Sequence, residues 1–282
     1  MKAEQVTRAG AYHGEGPVWW PDWGGLVHVD MLAGDLLRMD GSGNLHLRHV
    51  GTVAAALRPR ASGGMVLARE RDVVVAETLD GPLRVLAVVV EDPDLRCNEG
   101  CCDPAGNFYV GTLSRSGASD RAALHRVLPD GTVDTVVTSV SLSNGLGWTA
   151  DGDCAYYVDT PTRRIDRFDH APDDGLCNRR PFVSLPETAG LPDGLAVDAE
   201  GGVWVAMWEG SAVRRYSAGG VLEEVIQLPV RKVTACAFGG EQLDELYITT
   251  SRAGEDSPHP AAGAVFRAEP GVRGLPATTF AG

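Results

Sequence analysis

The chain has 282 residues, 44% of them hydrophobic, a content that excludes a disordered chain and supplies a sizeable core. Its formal net charge of −13 gives a surface that repels phosphate backbones, which argues against nucleic acid as a partner. The longest apolar run, Val85 to Val90, is too short to span a bilayer, and the N-terminal MKAEQVTRAG has no apolar leader segment, so a soluble cytoplasmic protein with reduced thiols and no membrane partner is expected.

The 35 Gly and 17 Pro are spread along the whole length without a collagen-like period, which suits many short strands joined by tight turns. In chain order, LVHVDM (26–31), ASGGMVLARE (61–70), NFYVGTL (107–113), CAYYVDT (154–160), GVWVAMW (202–208) and ELYITTS (245–251) read as buried strands, the second being the faintest copy. Five follow the turns DWGG (22–25), DPAGN (103–107), ADGD (150–153), DAEGG (198–202) and GGEQLDE (239–245). Six copies at roughly 40–50-residue spacing match the period of propeller blades. After most of them comes a second strand pair with its own turn: RMDGSGNLHLRHV (38–50), HRVLPDGTVDTVV (125–137), DRFDHAPDDGLCNRRPFVSL (166–185) and RRYSAGGVLEEVIQL (214–228). The expected fold is all-β: a six-bladed β-propeller with four-stranded antiparallel blades, residues 1–282 forming a single domain. The tail after Gly263 is expected to close the ring with the N-terminal segment. A β-sandwich or open barrel is the alternative, and six spaced copies argue against it.

Propellers place small-molecule sites at the axis, so polar groups just ahead of the innermost strands are the candidates. In HGEGPVWW (13–20), Glu15 precedes an apolar aromatic strand; read alone, it is a turn carboxylate facing water. In RCNEG (96–100), Arg96, Asn98 and Glu99 crowd a turn, an arrangement also common at surfaces. In SLSNGLGWTADG (141–152), Asn144–Gly145 resembles a hairpin turn, yet Asp151–Gly152 already fills that role. In LPDGLAVDAEGGVWVA (191–206), Asp193–Gly194 stands in the same relation to the turn Asp198–Gly202. Glu15, Asn144 and Asp193 thus recur at matching places and would converge on the axis. Two carboxylates and an amide oxygen suit a hard divalent cation and leave positions open for water and substrate. His13 reads as a structural turn residue. Each cysteine (Cys97, Cys101, Cys102, Cys154, Cys177, Cys236) reads as a buried structural thiol, with Cys97 facing away from Arg96 and Asn98. Trp19, Trp20, Trp148, Trp204 and Trp208 read as inter-blade core, and no G-x-S-x-G elbow is present.

These motifs resemble the gluconolactonase/regucalcin family, also called the senescence marker protein family. GEGPVW, RCNEG followed by DPAGNFYVGT, SNGLGW followed by YYVDT, PDGLAVDAEGGVWVA, and CAFGG followed by LYITT occur in order over nearly the whole chain. The resemblance implies a six-bladed propeller, lactonase activity and one divalent metal ion, for which Ca²⁺, Zn²⁺, Mn²⁺, Mg²⁺ and Fe²⁺ are all admissible. It implies Glu15, Asn144 and Asp193 as metal ligands, Asp193 also as general base, and Arg96, Asn98 and Glu99 as substrate-binding residues. The sequence departs from regucalcin-like members at Glu99, where they carry Asp, and at Ser116, where they carry a substrate-contacting Glu. The expected partner is a small-molecule lactone, and the expected state a monomer or small homo-oligomer. The stretches 113–123 and 251–263 are expected to form the rim that sets specificity. Two rival readings stand beside this one: a metal-dependent phosphotriesterase resembling diisopropyl fluorophosphatase, and a metal-binding or interaction propeller without catalysis.

Overall fold

The computed structural model describes residues 1–171 and 175–282. Six sheets, each of four antiparallel strands, are arranged as blades. The first blade is Gly14–Trp20, Gly25–Asp30, Asp35–Met39 and Leu45–His49; the second is Ala54–Pro59, Met65–Arg69, Asp72–Ala76 and Arg84–Val88. The third is Leu95–Cys102, Phe108–Ser114, Ala122–Val127 and Val133–Val140; the fourth is Ser143–Trp148, Cys154–Asp159, Arg164–Ala171 and Gly175–Ser184. The fifth is Leu191–Val197, Val203–Trp208, Ala212–Tyr216 and Leu222–Gln227. The sixth takes Lys232–Gly239, Glu245–Ser251 and Phe266–Ala268 from the end of the chain and Glu4–Gln5 from its beginning, with Glu4 opposite Arg267. The ring is therefore closed by backbone pairing of the two chain ends, as the tail led one to expect, which removes the free edge a linear array would leave.

The repeated apolar runs are the second strands of their blades. Two of the turns before them are built alike: Asp103 accepts the backbone N–H of Asn107 at 2.8 Å, and Asp198 that of Gly202 at 2.7 Å. Asp198 also accepts the indole N–H of the fully buried Trp204 at 2.9 Å, tying this turn to the core between blades. Within the predicted hairpin 166–185, residues 172–174 lie outside the described residues.

Three of the thiols, Cys97, Cys102 and Cys236, are buried as expected; Cys101 and Cys154 are only half-buried, and Cys177 is exposed because it lies on the outer strand of the fourth blade. No cysteine among the described residues is in a disulfide. No helix among them is long and apolar enough to cross a membrane.

One core residue sets a pH limit on this fold. His28, in the second strand of the first blade, is buried with neither ring nitrogen hydrogen-bonded. Burial pushes its pKa down from 6.5 to about 4, so folding keeps the ring neutral. Stability from this group is complete above the unfolded value and is lost as pH falls from 6.5 towards 4, by about 3 kcal/mol. His28→Leu is expected to flatten the urea-denaturation stability profile between pH 7 and pH 4 by that amount. A variant with the parent's full acid sensitivity would show that the proton goes elsewhere.

Candidate active site

Each innermost strand carries an irregularity at the same height. The register slips by one residue between Glu15 and Val18, Ala54 and Ala56, Cys97 and Gly100, Ser143 and Leu146, Pro192 and Leu195, and Val233 and Ala235. A β-bulge leaves one residue unpaired and re-aims its side chain. Glu15, Asn98, Glu99, Asn144 and Asp193 all sit at or within these bulges. The sequence placed them in turns ahead of the inner strands; the structure puts them inside those strands. The reason lies in the glycines. Gly145 and Gly194 are not used for a turn: a Cβ on Gly145 would lie 2.6 Å from the carbonyl oxygen of Asp193, and one on Gly194 would lie 2.5 Å from Cβ of Ala235. Neighbouring blades meet at these points, and only glycine lets them approach so closely.

Five polar side chains are packed together here with almost no exposure: Glu15 at 3%, Asn144 at 5%, Asn98 and Asp193 at 6% and Glu99 at 7%. A one-way hydrogen-bond chain crosses three blades and fixes both amides. Arg96 Nη1 donates to Asn98 Oδ1 at 3.1 Å, and Asn98 Nδ2 donates to Asn144 Oδ1 at 3.1 Å and to the Ser143 carbonyl at 2.9 Å. Asn144 Nδ2 donates to Thr160 Oγ1 at 2.8 Å, whose own hydroxyl proton goes to the Pro192 carbonyl at 2.8 Å. Arginine only donates and the Thr160 hydroxyl is already committed, so neither amide is free to flip. Asn144 Oδ1 therefore keeps a lone pair for another partner.

The three acids are the electrostatic centre. Burial, then Asp193, then Glu99 hold the Glu15 carboxyl well above the usual carboxylate range. Asp193 is raised by burial and by Glu99, and Glu99 by burial, against which Arg58 works. Blades one, three and five thus bring their carboxyl groups within range of one another across the axis. Glu15 and Glu99 each accept the N–H of the next residue at 2.9 Å, but among the described residues none of the three acids has a basic nitrogen within 4.0 Å. Buried acids without a counter-charge call for a cation or retained protons. The two carboxylates of Glu15 and Asp193 with Asn144 Oδ1 form an all-oxygen donor set that fits a hard divalent ion. Among the described residues no group of three or more His, Cys, Asp or Glu side chains could hold a metal ion by itself.

Arg96 reaches over this well and also donates to the Cys97 carbonyl at 2.8 Å; its pKa is lowered to about 10, mainly by burial and then by Arg115. Cys97 is buried and its pKa pushed up to about 12, the inert thiol anticipated. Ser116 is turned to Asp94, whose carboxylate accepts its N–H at 2.9 Å and its hydroxyl at 3.0 Å, so the acid on this part of the rim is Asp94.

Sequence reasoning missed Thr160, which orients Asn144, and a basic corner at the mouth. Lys232 Nζ donates to the Ala253 carbonyl at 2.6 Å and stands 4.8 Å from the Trp208 ring centroid; the ring of His13 packs edge-on against the same indole. Trp208 is therefore a mouth residue, only half-buried, whereas Trp204 and Trp148 are core as expected. His13 holds Ser251 Oγ at 2.8 Å, and burial, Arg96 and Lys232 lower its pKa to about 4, leaving it neutral. Lys232 lies two residues before Thr234, the bulge residue of the sixth blade, as Arg96 lies two before Asn98; that offset was the available signal.

Comparison with known proteins places the chain in a family. Residues 13–252 match the model of the SMP-30/Gluconolactonase/LRE-like region. The chain belongs to this family. The pentonolactonase XacC of Haloferax volcanii is 38% identical over 286 residues, covering 98% of this chain and 97% of that protein. Zebrafish (Danio rerio) regucalcin is 32% identical, with 100% and 99% covered. Among solved structures, the calcium-binding regucalcin of Agrobacterium tumefaciens superposes with a TM-score of 0.92 at 25% identity, covering 99% of this chain and 97% of that one. Membership of the gluconolactonase-like family thus rests on nearly full-length similarity, and the bulge-borne polar cluster lies within the matched region.

Proposed function

We propose that this protein hydrolyses a small sugar lactone to its hydroxy acid with the aid of one divalent cation held by Glu15, Asn144 and Asp193. The observation that carries the reading is the well of three buried acids with no ion-pair partner within 4.0 Å among the described residues, beside a fixed Arg96–Asn98–Asn144 chain, in a chain similar to proteins named pentonolactonase and regucalcin. When bound, the cation supplies Lewis acidity towards the lactone carbonyl and the attacking water. Arg96 and Asn98 hold the substrate, and their N–H groups stabilise the negative charge that develops on the carbonyl oxygen. Asp193 accepts a proton from the water as its oxygen bonds to the carbonyl carbon. The ring C–O bond then breaks, and that proton passes to the departing ring oxygen, giving the hydroxy acid. Glu99 lies beside the same well to accept a substrate hydroxyl. The fixed amides and the excluded bulk water pre-organise the site, so little reorganisation accompanies the reaction.

The experiment is a pH-stat assay of the purified protein on pentono- and hexonolactones and on a phosphotriester, with Ca²⁺, Mg²⁺, Mn²⁺, Zn²⁺ and Fe²⁺ supplied one at a time. Turnover of a lactone at least about 100-fold above that of the phosphotriester is expected, since a site that hydrogen-bonds substrate hydroxyls discriminates against a substrate that lacks them. Turnover of the phosphotriester alone would move the reading to that class. No turnover under any ion would leave a binding propeller.

A further inference from the structure

Beyond the bulges that carry the acids, the inner strands enclose a cavity. Its volume is about 280 Å³, and none of Glu15, Asn98, Glu99, Asn144 or Asp193 lines it. Its walls come from the later halves of the inner strands, beyond the bulges, and its floor from the C-terminal segment 275–278. That segment is strapped across the axis at both ends. On one side Ala199 N donates to the Arg273 carbonyl and Gly274 N to that of Leu243; on the other Phe280 N donates to Pro59 and Ala281 N to Gly106. Between these anchors Thr278 Oγ1 donates to the Cys102 carbonyl at 2.6 Å and lies 3.9 Å from Cys101 Sγ. The strap thus spans the opening and leaves a chamber between itself and the blades.

One full charge faces that chamber. Arg58, on the inner strand of the second blade, lines it together with Trp148, Phe238, Leu275, Cys101 and Thr278. At the equivalent register on the other inner strands stand Trp19, Cys101, Gly147, Ala196 and Ala237, none of them acidic. The guanidinium donates to the Leu57 carbonyl at 2.6 Å, and against burial Cys101 and then Glu99 raise its pKa; among the described residues no carboxylate oxygen lies within 4.0 Å of it. A guanidinium offers five N–H groups in a fork suited to a carboxylate, so most of its donors are uncommitted. It is a sheltered positive centre among apolar and aromatic walls, offset in part by Glu99, which lies in electrostatic range but outside ion-pair distance.

We propose that this chamber is a second ligand site, for a small amphipathic carboxylate: the carboxylate paired with Arg58, the apolar body against Trp148, Phe238 and Leu275. The volume is near the lower end for small-molecule pockets and suits a body of about ten heavy atoms. The apolar walls disfavour a polyhydroxy acid, so the ligand differs in class from the lactone and its product. This inference does not depend on the proposed activity.

Isothermal titration with 3-phenylpropanoate, its neutral amide and inorganic phosphate tests it. The carboxylate is expected to bind at least about tenfold more tightly than the amide, because a charge-assisted pair is lost with the amide. It should also bind at least as far above phosphate, which leaves the apolar walls unused. Arg58→Met is expected to erase the preference for acid over amide. Ala237→Leu, which fills the chamber from a different blade while keeping Arg58, is expected to weaken acid and amide alike. Equal binding of acid and amide, acid binding untouched by both substitutions, or no binding of any probe to the folded parent would overturn the proposal.

Discussion

Asp193→Asn is expected to lower kcat for lactone hydrolysis by about 1000-fold or more, as removal of both proton acceptance and an anionic ligand oxygen should exceed the loss of one oxyanion donor. The substitution keeps the shape of the side chain and an oxygen at the same place, so it tests charge and basicity and leaves packing alone. The electrostatics predict a second, opposite effect. Burial and Glu99 already push Asp193 towards its protonated form, and Asp193 in turn raises Glu15. A neutral amide removes one of three mutually repelling acids. Cation-free Asp193→Asn protein is therefore expected to melt no lower than the parent near neutral pH while turning over almost nothing. A purely structural role would instead lower the melting temperature and activity together. Near-normal turnover by a folded Asp193→Asn protein would sink the assignment of the general base.

The blade pattern was legible because it is local. Alternating apolar residues after an Asp- or Gly-rich turn recur six times, and strand pairing follows from that alone. The candidate acids and amides were legible as residues but not as positions. Asn144–Gly145 and Asp193–Gly194 look like turns because Asn-Gly and Asp-Gly are common where backbone φ is positive. Here the glycines serve a contact between blades, between Gly145 and Asp193 and between Gly194 and Ala235. Such a contact joins residues far apart in sequence, and no window of sequence contains it. The same holds for Thr160: its role exists only because Asn144 lies against it on one side and the Pro192 carbonyl on the other. Arg58 sits in an unremarkable LRPR stretch, and its place in the wall of the chamber emerges only when five other blades surround it. Cys177 was misread for a related reason, since an outer strand has one face without a neighbouring core.

Removing divalent cations with a chelator is expected to abolish lactone turnover and to lower the melting temperature, the latter more at pH 8 than at pH 5. The sign follows from the three acids. In the cation-free fold Glu15, Glu99 and Asp193 all have raised pKa values, so the folded state holds protons that the unfolded chain releases at lower pH. Each such group leaves stability intact below its unfolded value, near 4, and subtracts from it as pH rises towards the folded value. A bound cation replaces those protons. Its benefit is small where the acids are still protonated and grows as pH rises, because binding to carboxylates competes with protons. A cation at about 1000 times its dissociation constant adds about 4 kcal/mol. For a chain of this length that is a shift of about 8 °C, at about 2 °C per kcal/mol. Thermal denaturation with and without chelator at the two pH values measures it directly. A larger shift at pH 5, or none at pH 8 with turnover intact, would mean that the acids are compensated from within the protein. Arg58 and Arg96 would then be the charges to examine, since they are the bases that act on Glu99 and Glu15.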